Sequence, residues 1–335
     1  MESLFALTLM IVLFAFIFDF INGFHDTANT IATSVSTRAL RPTAAIILAG
    51  TMNFLGAIMF TGVAQTISQG IIDPFSIHNE TIGLIIVLAA LISAILWNLA
   101  TWLLGIPSSS SHAVIGSLAG ASVSALGFGA LNYTGFIEIF EALIFSPIAA
   151  ITLGFLIMKV LAILFRNFSL VKTNRRFRKF QILTAALQSF AHGTNDAQKT
   201  MGIITMALVA SNYLDKVEIP MWVRVASGIA MALGTSVGGW RIIKTVGTKI
   251  MKIEPINGAA ADLSSATIIF GFTFIHFPVS TTHVITSSIL GVGAAERVRG
   301  VNWGVALNIV ITWIITLPLT ALMSFLIFKL LAWFL

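Results

Sequence analysis

Charge is scarce in this chain. Only 10% of its 335 residues are Asp, Glu, Lys or Arg, against about 25% in a soluble domain. Cysteine is absent, which excludes disulfides and thiolate metal sites and leaves the redox compartment unreadable. Roughly ten-residue segments of alternating polarity, the mark of a transmembrane barrel, are missing too. No basic stretch precedes the apolar residues 3–18, so this segment is expected to be a first membrane helix rather than a cleavable signal. A Gly-x-x-x-x-Gly-Lys-Ser/Thr loop is also lacking, which argues against ATP hydrolysis. What remains is 57% hydrophobic with a mean hydropathy of +0.96. The expected class is an all-α integral membrane protein with about 10–12 membrane segments, each complete crossing needing roughly 20 apolar residues.

Apolar stretches fall at about 3–36, 43–67, 82–105, 112–130, 136–165, 181–210, 220–240, 258–277, 283–295 and 302–335. The most basic segment separates the first five from the last five. It holds Arg166, Lys172, Arg175, Arg176, Arg178 and Lys179, and the positive-inside rule makes it cytoplasmic. Counting outward, Arg38, Arg41, Arg241, Lys244, Lys249, Lys252, Arg297 and Arg299 share its side. Glu2, Asp73, Glu80, Glu138, Glu141, Asp215 and Glu218 take the other, with Lys216 and Arg224 as basic exceptions. This predicts an N-terminal repeat over 1–165, a cytoplasmic linker over 166–180 and a C-terminal repeat over 181–335, with both termini outside a cell membrane. Five crossings is an odd number, so the second repeat enters upside down, an arrangement typical of secondary transporters whose site forms where the repeats meet. The net charge of +6 is then topological; lipid is the expected surrounding and nucleic acid is not an expected partner.

Two polar motifs recur in the same order inside apolar sequence. Gly23-Phe24-His25-Asp26-Thr27-Ala28-Asn29 returns as Gly193-Thr194-Asn195-Asp196-Ala197-Gln198-Lys199. Pro107-Ser108-Ser109-Ser110-Ser111-His112 returns as Pro278-Val279-Ser280-Thr281-Thr282-His283. The first apolar stretch is too long for one straight span of a roughly 30 Å core, which predicts a helix broken around Asn22-Gly23. The two proline segments are predicted to fold inward as re-entrant tips that approach each other, since irregular backbone at that depth must line a polar cavity.

Asp19, Asp26, Asp196 and Asp262 lie inside apolar stretches. An ionised carboxylate there costs at least about 2.5–3.5 kcal/mol and requires a cation or a proton. Asn22, Asp26, Asn195 and Asp196, together with backbone carbonyls freed near glycine, form an oxygen set suited to a hard cation. Sodium is the natural candidate and a proton the alternative; pairing with Lys199 or capping of a half-helix is the plain structural explanation. For Asp19 and Asp262 that explanation weighs as much as a ligand role.

Ser109, Ser110 and Ser111, and Ser280, Thr281 and Thr282, each follow proline and precede a helical run. Such residues favour N-caps, and a helix N-terminus with its free N–H groups and positive dipole end binds tetrahedral oxyanions. Two facing termini would make a cradle of donors, although hydroxyls also serve simply as packing and capping groups in membrane helices. Cation-binding carboxylates beside anion-binding helix ends describe a coupled symporter. His112 and His283 could orient the hydroxyls, His25 could donate behind Asp26, and Asn29, Thr194 and Lys199 complete the motifs. Gln188 and Asn53 are polar residues more often used in packing. An uncoupled anion channel would share the lining. A hydrolase built on Ser111 and His112 is disfavoured, because adjacent helical positions diverge by about 100°.

These motifs resemble the inorganic phosphate transporter (PiT) family, on Gly23 to Asn29, His192 to Lys199, Pro107 to His112 and Pro278 to His283. The segment from Gly258 to Ala266 is similar to that family's acidic segment, with Asp262 where Glu is usual. His25 stands where Asn is usual, and Gln198-Lys199 replaces the usual end of the second signature. The resemblance implies phosphate uptake coupled to sodium or protons through inverted repeats, often as a homodimer, with sodium as coupling ion and no cofactor. A proton-coupled phosphate or sulfate permease is the alternative it allows.

Overall fold

The computed structural model describes residues 2–72 and 79–334; Asp73, assigned above to the acidic side, lies outside the described residues. Among these residues the regular structure is entirely helical. The first half contains α1 (Glu2–His25), α2 (Thr27–Ser36), α3 (Pro42–Met59), α4 (Gly62–Gly70), α5 (Glu80–Leu104), α6 (Ser110–Leu126) and α7 (Tyr133–Phe165). The second contains α8 (Leu170–Ala210), α9 (Met221–Val237), α10 (Trp240–Lys244), α11 (Pro255–Phe274), α12 (Thr281–Arg297) and α13 (Trp303–Phe334). A π turn, Thr245–Lys249, extends α10.

The series is the same twice. A helix of 18 residues in the first half and of 17 in the second is interrupted at the corresponding place: α3 stops at extended Phe60 before α4, and α9 stops at Gly238, whose φ of 71° is the left-handed value glycine accepts. Long α7 and α13 each carry one internal proline, Pro147 and Pro318. The exception is the motif helix. In the first half it breaks into α1 and α2 at Asp26, one turn later than the expected Asn22-Gly23. In the second it runs unbroken as α8. Residues 170–180, expected as linker, are the first turns of that same helix, leaving a short turn after Phe165.

Among the described residues, five runs are long and apolar enough to cross a membrane by length and composition: Leu4–Ser36, α3, α5, α7 and α13. α4, α6, α10 and α12 fall short of the roughly 20 residues a span needs, so several of the expected crossings are built from broken pieces. Large side chains such as Leu9, Leu13 and Ile17 on α1, Ile148, Leu156 and Ile163 on α7, and Leu322, Leu326 and Leu330 on α13 are exposed. An apolar outer surface on this scale suits lipid rather than water. The inside, by contrast, holds the short helices: every residue of α6 from Ser110 to Ser122 is buried.

The halves interlock. α6 packs on α13 while α12 packs on α7, and α3 crosses α8 while α9 crosses α1. The motif glycines make these last two crossings possible. A Cβ at Gly23 would run into the backbone of Met231 and Thr235, and one at Gly193 into the backbone of Asn53. They serve close helix approach, the use small residues have in membranes.

The helix ends gather at two poles. Thr37 meets Gln181, Arg241 meets the Leu103 carbonyl, Asn174 meets Glu254 and Asn302 meets Ile250 at one pole. Asn132 meets Ile71, Asn212 meets Glu80 and Thr66 meets His276 at the other. The basic residues cluster at the first pole, but Glu254 and Glu296 join them there, so the separation of charge is less complete than expected.

Candidate functional site

The site forms where the break between α1 and α2, the middle of α8, and the starts of α6 and α12 converge. Pro107 and Pro278 precede the two starts. α5 ends on Gly105 in the left-handed conformation (φ 67°), and the chain then runs extended to Ser109. There the Ser109 Oγ accepts the His112 N–H at 3.1 Å and caps α6. Ser280 caps α12 in the same way, accepting the His283 N–H at 3.3 Å. The tips touch as expected: Ser111 Oγ donates to the Val279 carbonyl at 2.7 Å, and the His112 and His283 rings lie 4.5 Å apart.

Asp26 sits between the tips, 1% exposed. Its Oδ2 accepts Ser110 Oγ at 2.5 Å and its Oδ1 accepts Thr282 Oγ1 at 3.0 Å. One hydroxyl comes from each half. His25 Nδ1 lies 2.7 Å from Oδ1, and its Nε2 lies 3.1 Å from Thr101 Oγ1 on α5. Asn29 Nδ2 donates to Thr282 Oγ1 at 2.9 Å. Among the described residues no donor reaches Asn22 Oδ1, Asn29 Oδ1 or Thr281 Oγ1, all buried.

Asp196, fully buried on α8, is served differently. The Lys199 ammonium lies 2.8 Å from its Oδ1, His192 Nε2 lies 3.3 Å from Oδ2, and Asn22 Nδ2 donates to Oδ2 at 3.4 Å. Lys199 Nζ also donates to Ser110 Oγ at 2.9 Å. The two carboxylates are therefore joined through one chain of contacts, Asp196 to Lys199 to Ser110 to Asp26.

The other expected residues divide. Asn195 turns away, its amide donating to Thr273 Oγ1 at 3.1 Å and to the Phe277 carbonyl at 3.3 Å, while its Oδ1 accepts the Val279 N–H at 3.2 Å. It steadies the α12 tip, as His25 with Thr101 does on the α5 side. Thr194 Oγ1 donates to the Ala191 carbonyl of its own helix. His283 is stacked at 3.8 Å on Trp313, whose Nε1 donates to the Pro107 carbonyl, and His112 Nδ1 lies 2.8 Å from Ser109 Oγ; both histidines brace the tips. Gln188 is buried with neither amide atom partnered among the described residues. Asp19 accepts Thr200 Oγ1 at 2.6 Å. Asp262 stands apart, accepting Thr33 Oγ1 at 2.6 Å and Thr184 Oγ1 at 3.0 Å.

Sequence reasoning missed Thr101, Thr273 and the role of His192. Thr101 and Thr273 stand at nearly the offset of the duplicated motifs, on matching helices α5 and α11, and that offset is the signal that could have found them. Asn53 Oδ1 accepts from His192 Nδ1 at 3.0 Å and its Nδ2 donates to Thr27 Oγ1 at 3.0 Å, tying α3 to both motif helices.

Comparison with known proteins identifies the family. The description "Phosphate transporter family" matches residues 22–324. A "Probable low-affinity inorganic phosphate transporter" of Bacillus subtilis (strain 168) is 63% identical over 322 residues, covering 96% of each chain. One of Rhizobium meliloti (strain 1021) with the same description is 45% identical over 323 residues, covering 96% of this chain and 95% of its own. A solved structure described as "The sodium-dependent phosphate transporter" superposes with a TM-score of 0.91 at 26% identity, over 98% of this chain and 100% of its own. These relatives are transporters, not enzymes. The chain belongs to the phosphate transporter family, and is a phosphate transporter built as a multi-pass helical membrane protein.

Proposed function

We propose that the chain is a secondary-active symporter that moves inorganic phosphate down a sodium gradient's pull, binding both at the meeting of α6, α12 and the α1–α2 break. The observation that carries the reading is Asp26 accepting one hydroxyl from each half, Ser110 and Thr282. A sodium ion on Asp26 would draw on the Asn22 and Asn29 oxygens, which have no partner among the described residues, the oxygen chemistry hard cations take. It would also compete for the carboxylate and release both hydroxyls. Those hydroxyls, with Ser111, Thr281 and the N–H groups of the two helix starts, then donate to phosphate. Without sodium the same hydroxyls are spent on Asp26. Coupling thus follows from a shared pair of donors. Ser109 and Ser280 act as caps that aim the starts. The name of the structural relative, a sodium-dependent transporter, supports sodium over a proton.

In this reading 1–165 and 181–335 are inverted repeats, the basic 166–180 segment is cytoplasmic and both termini are outside. The site is closed to both poles, with Asp26, Ser110, Thr281 and Thr282 each at 1% exposure, so transport requires the tips to move against the surrounding bundle. Phosphate uptake into proteoliposomes, with sodium and pH gradients imposed separately and sulfate as competitor, tests it. Saturable uptake that follows the sodium gradient is expected. Uptake that follows only the pH gradient, or that never saturates, contradicts it. Cysteines placed at exposed Lys172 and Asp215 should label from opposite sides of intact cells; labelling from one side overturns the topology.

A further inference from the structure

The last residue of the first motif is Asn29 and the last of the second is Lys199. Both reach across to the opposite half in the same manner. Asn29 donates to Thr282 on α12, and Lys199 donates to Ser110 on α6, each at 2.9 Å. They differ in one respect. Asn29 leaves its own oxygen without a donor among the described residues, whereas Lys199 places an ammonium 2.8 Å from Asp196 Oδ1. That ammonium is 1% exposed, among the largest fully buried side chains of the protein. A sodium ion on Asp196 would have to share one buried carboxylate with a fixed positive charge, and like charges at such range repel strongly where dielectric screening is weak. The neighbouring groups give no further welcome. Asn22 and His192 present nitrogen to Asp196, and Asn195 spends its oxygen on the Val279 N–H.

We propose that the Lys199 ammonium is a tethered cation that fills the cation position of the Asp196 half, so that only the Asp26 half exchanges a cation with the transported phosphate. The inference rests on the sodium-coupled reading of the site and sharpens it: one side of a duplicated cation site has been made permanent by a side chain. The carboxylate is kept neutralised through the whole cycle, and Ser110 is held by a charge that never leaves. The consequence is a smaller coupling ratio than two equivalent halves would give.

Binding of radioactive sodium to the purified protein, counted at saturating phosphate, tests this on wild type, Lys199→Asn and Lys199→Arg. Lys199→Asn restores the residue of the first motif. It should bind one more sodium per chain than wild type and make phosphate binding depend on a higher power of sodium concentration; Lys199→Arg keeps the charge and should bind the wild-type number. Equal sodium counts in wild type and a Lys199→Asn protein that still binds phosphate overturn the proposal, as does a gain in Lys199→Arg. If Lys199→Asn does not fold, wild type alone decides. The phosphate gradient at which net flux stops should follow the first power of the driving cation gradient, and a second-power dependence overturns the proposal. The sodium reading fails separately: wild type that transports phosphate without binding sodium removes it, while a sodium gained by Lys199→Asn still upholds the tethered cation.

Discussion

Asp26 and Asp196 occupy equivalent places in the two halves, yet they are surrounded by different chemistry. Asp26 lies at a break between helices and is met by two hydroxyls, Ser110 and Thr282, with the His25 ring beside them. Asp196 lies inside an unbroken helix and carries an ion pair with Lys199 three residues on. A broken helix leaves backbone and side-chain oxygens free for an exchangeable ion, whereas a continuous helix with an internal ion pair needs none. The contrast teaches that two copies of one motif need not keep one chemistry: Lys199 sits against the carboxylate in one copy, and hydroxyls meet it in the other.

The comparison can be broken in order of expected effect. Replacing Asp196 by Asn alone leaves a buried ammonium without its partner, which typically costs about 3–5 kcal/mol; Asp196→Asn with Lys199→Met removes both charges and should recover most of that loss. Thermal unfolding in detergent measures both, and equal destabilisation of the single and double variants would argue against the ion pair. Ala at Gly193 should destabilise by about 1–3 kcal/mol through overpacking of the α3–α8 crossing, read by the same melts. Ala at Ser110 and Thr281 together should weaken phosphate binding roughly tenfold or more, at about 1 kcal/mol for each hydrogen bond lost; an unchanged dissociation constant would sink the cradle of donors. Thr194→Ala should change little, within about 0.5 kcal/mol, because its hydroxyl serves its own helix; a large loss of uptake would place it in the site.

Much of this was legible in the chain. The duplicated motifs located both carboxylates and both helix starts, because a polar run inside apolar sequence has few other uses. Their spacing also carried the repeat of elements. The division of labour inside the motifs was not legible. Asn195 reads as a cation ligand by sequence, but its amide is turned to Thr273 and Val279. Which way a side chain faces depends on how its helix is turned toward its neighbours, and for Asn195 those neighbours, Thr273 and Val279, lie 78 and 84 residues further along the chain. The packing role of the glycines was hidden for a related reason: close approach depends on the partner helix, α9 or α3, which lies far along the chain. Nor does the sequence tell a basic loop from the basic first turns of a long helix such as α8.

The central claim is that a cation on Asp26 frees donors for phosphate. Phosphate affinity of the purified protein, titrated with and without sodium, tests it most directly when wild type is set beside Asp26→Asn. Wild type should bind phosphate about ten- to a hundredfold more tightly in sodium, in line with one charge-assisted interaction, and Asp26→Asn should bind it equally with and without sodium. Sodium dependence that survives in Asp26→Asn would contradict the account.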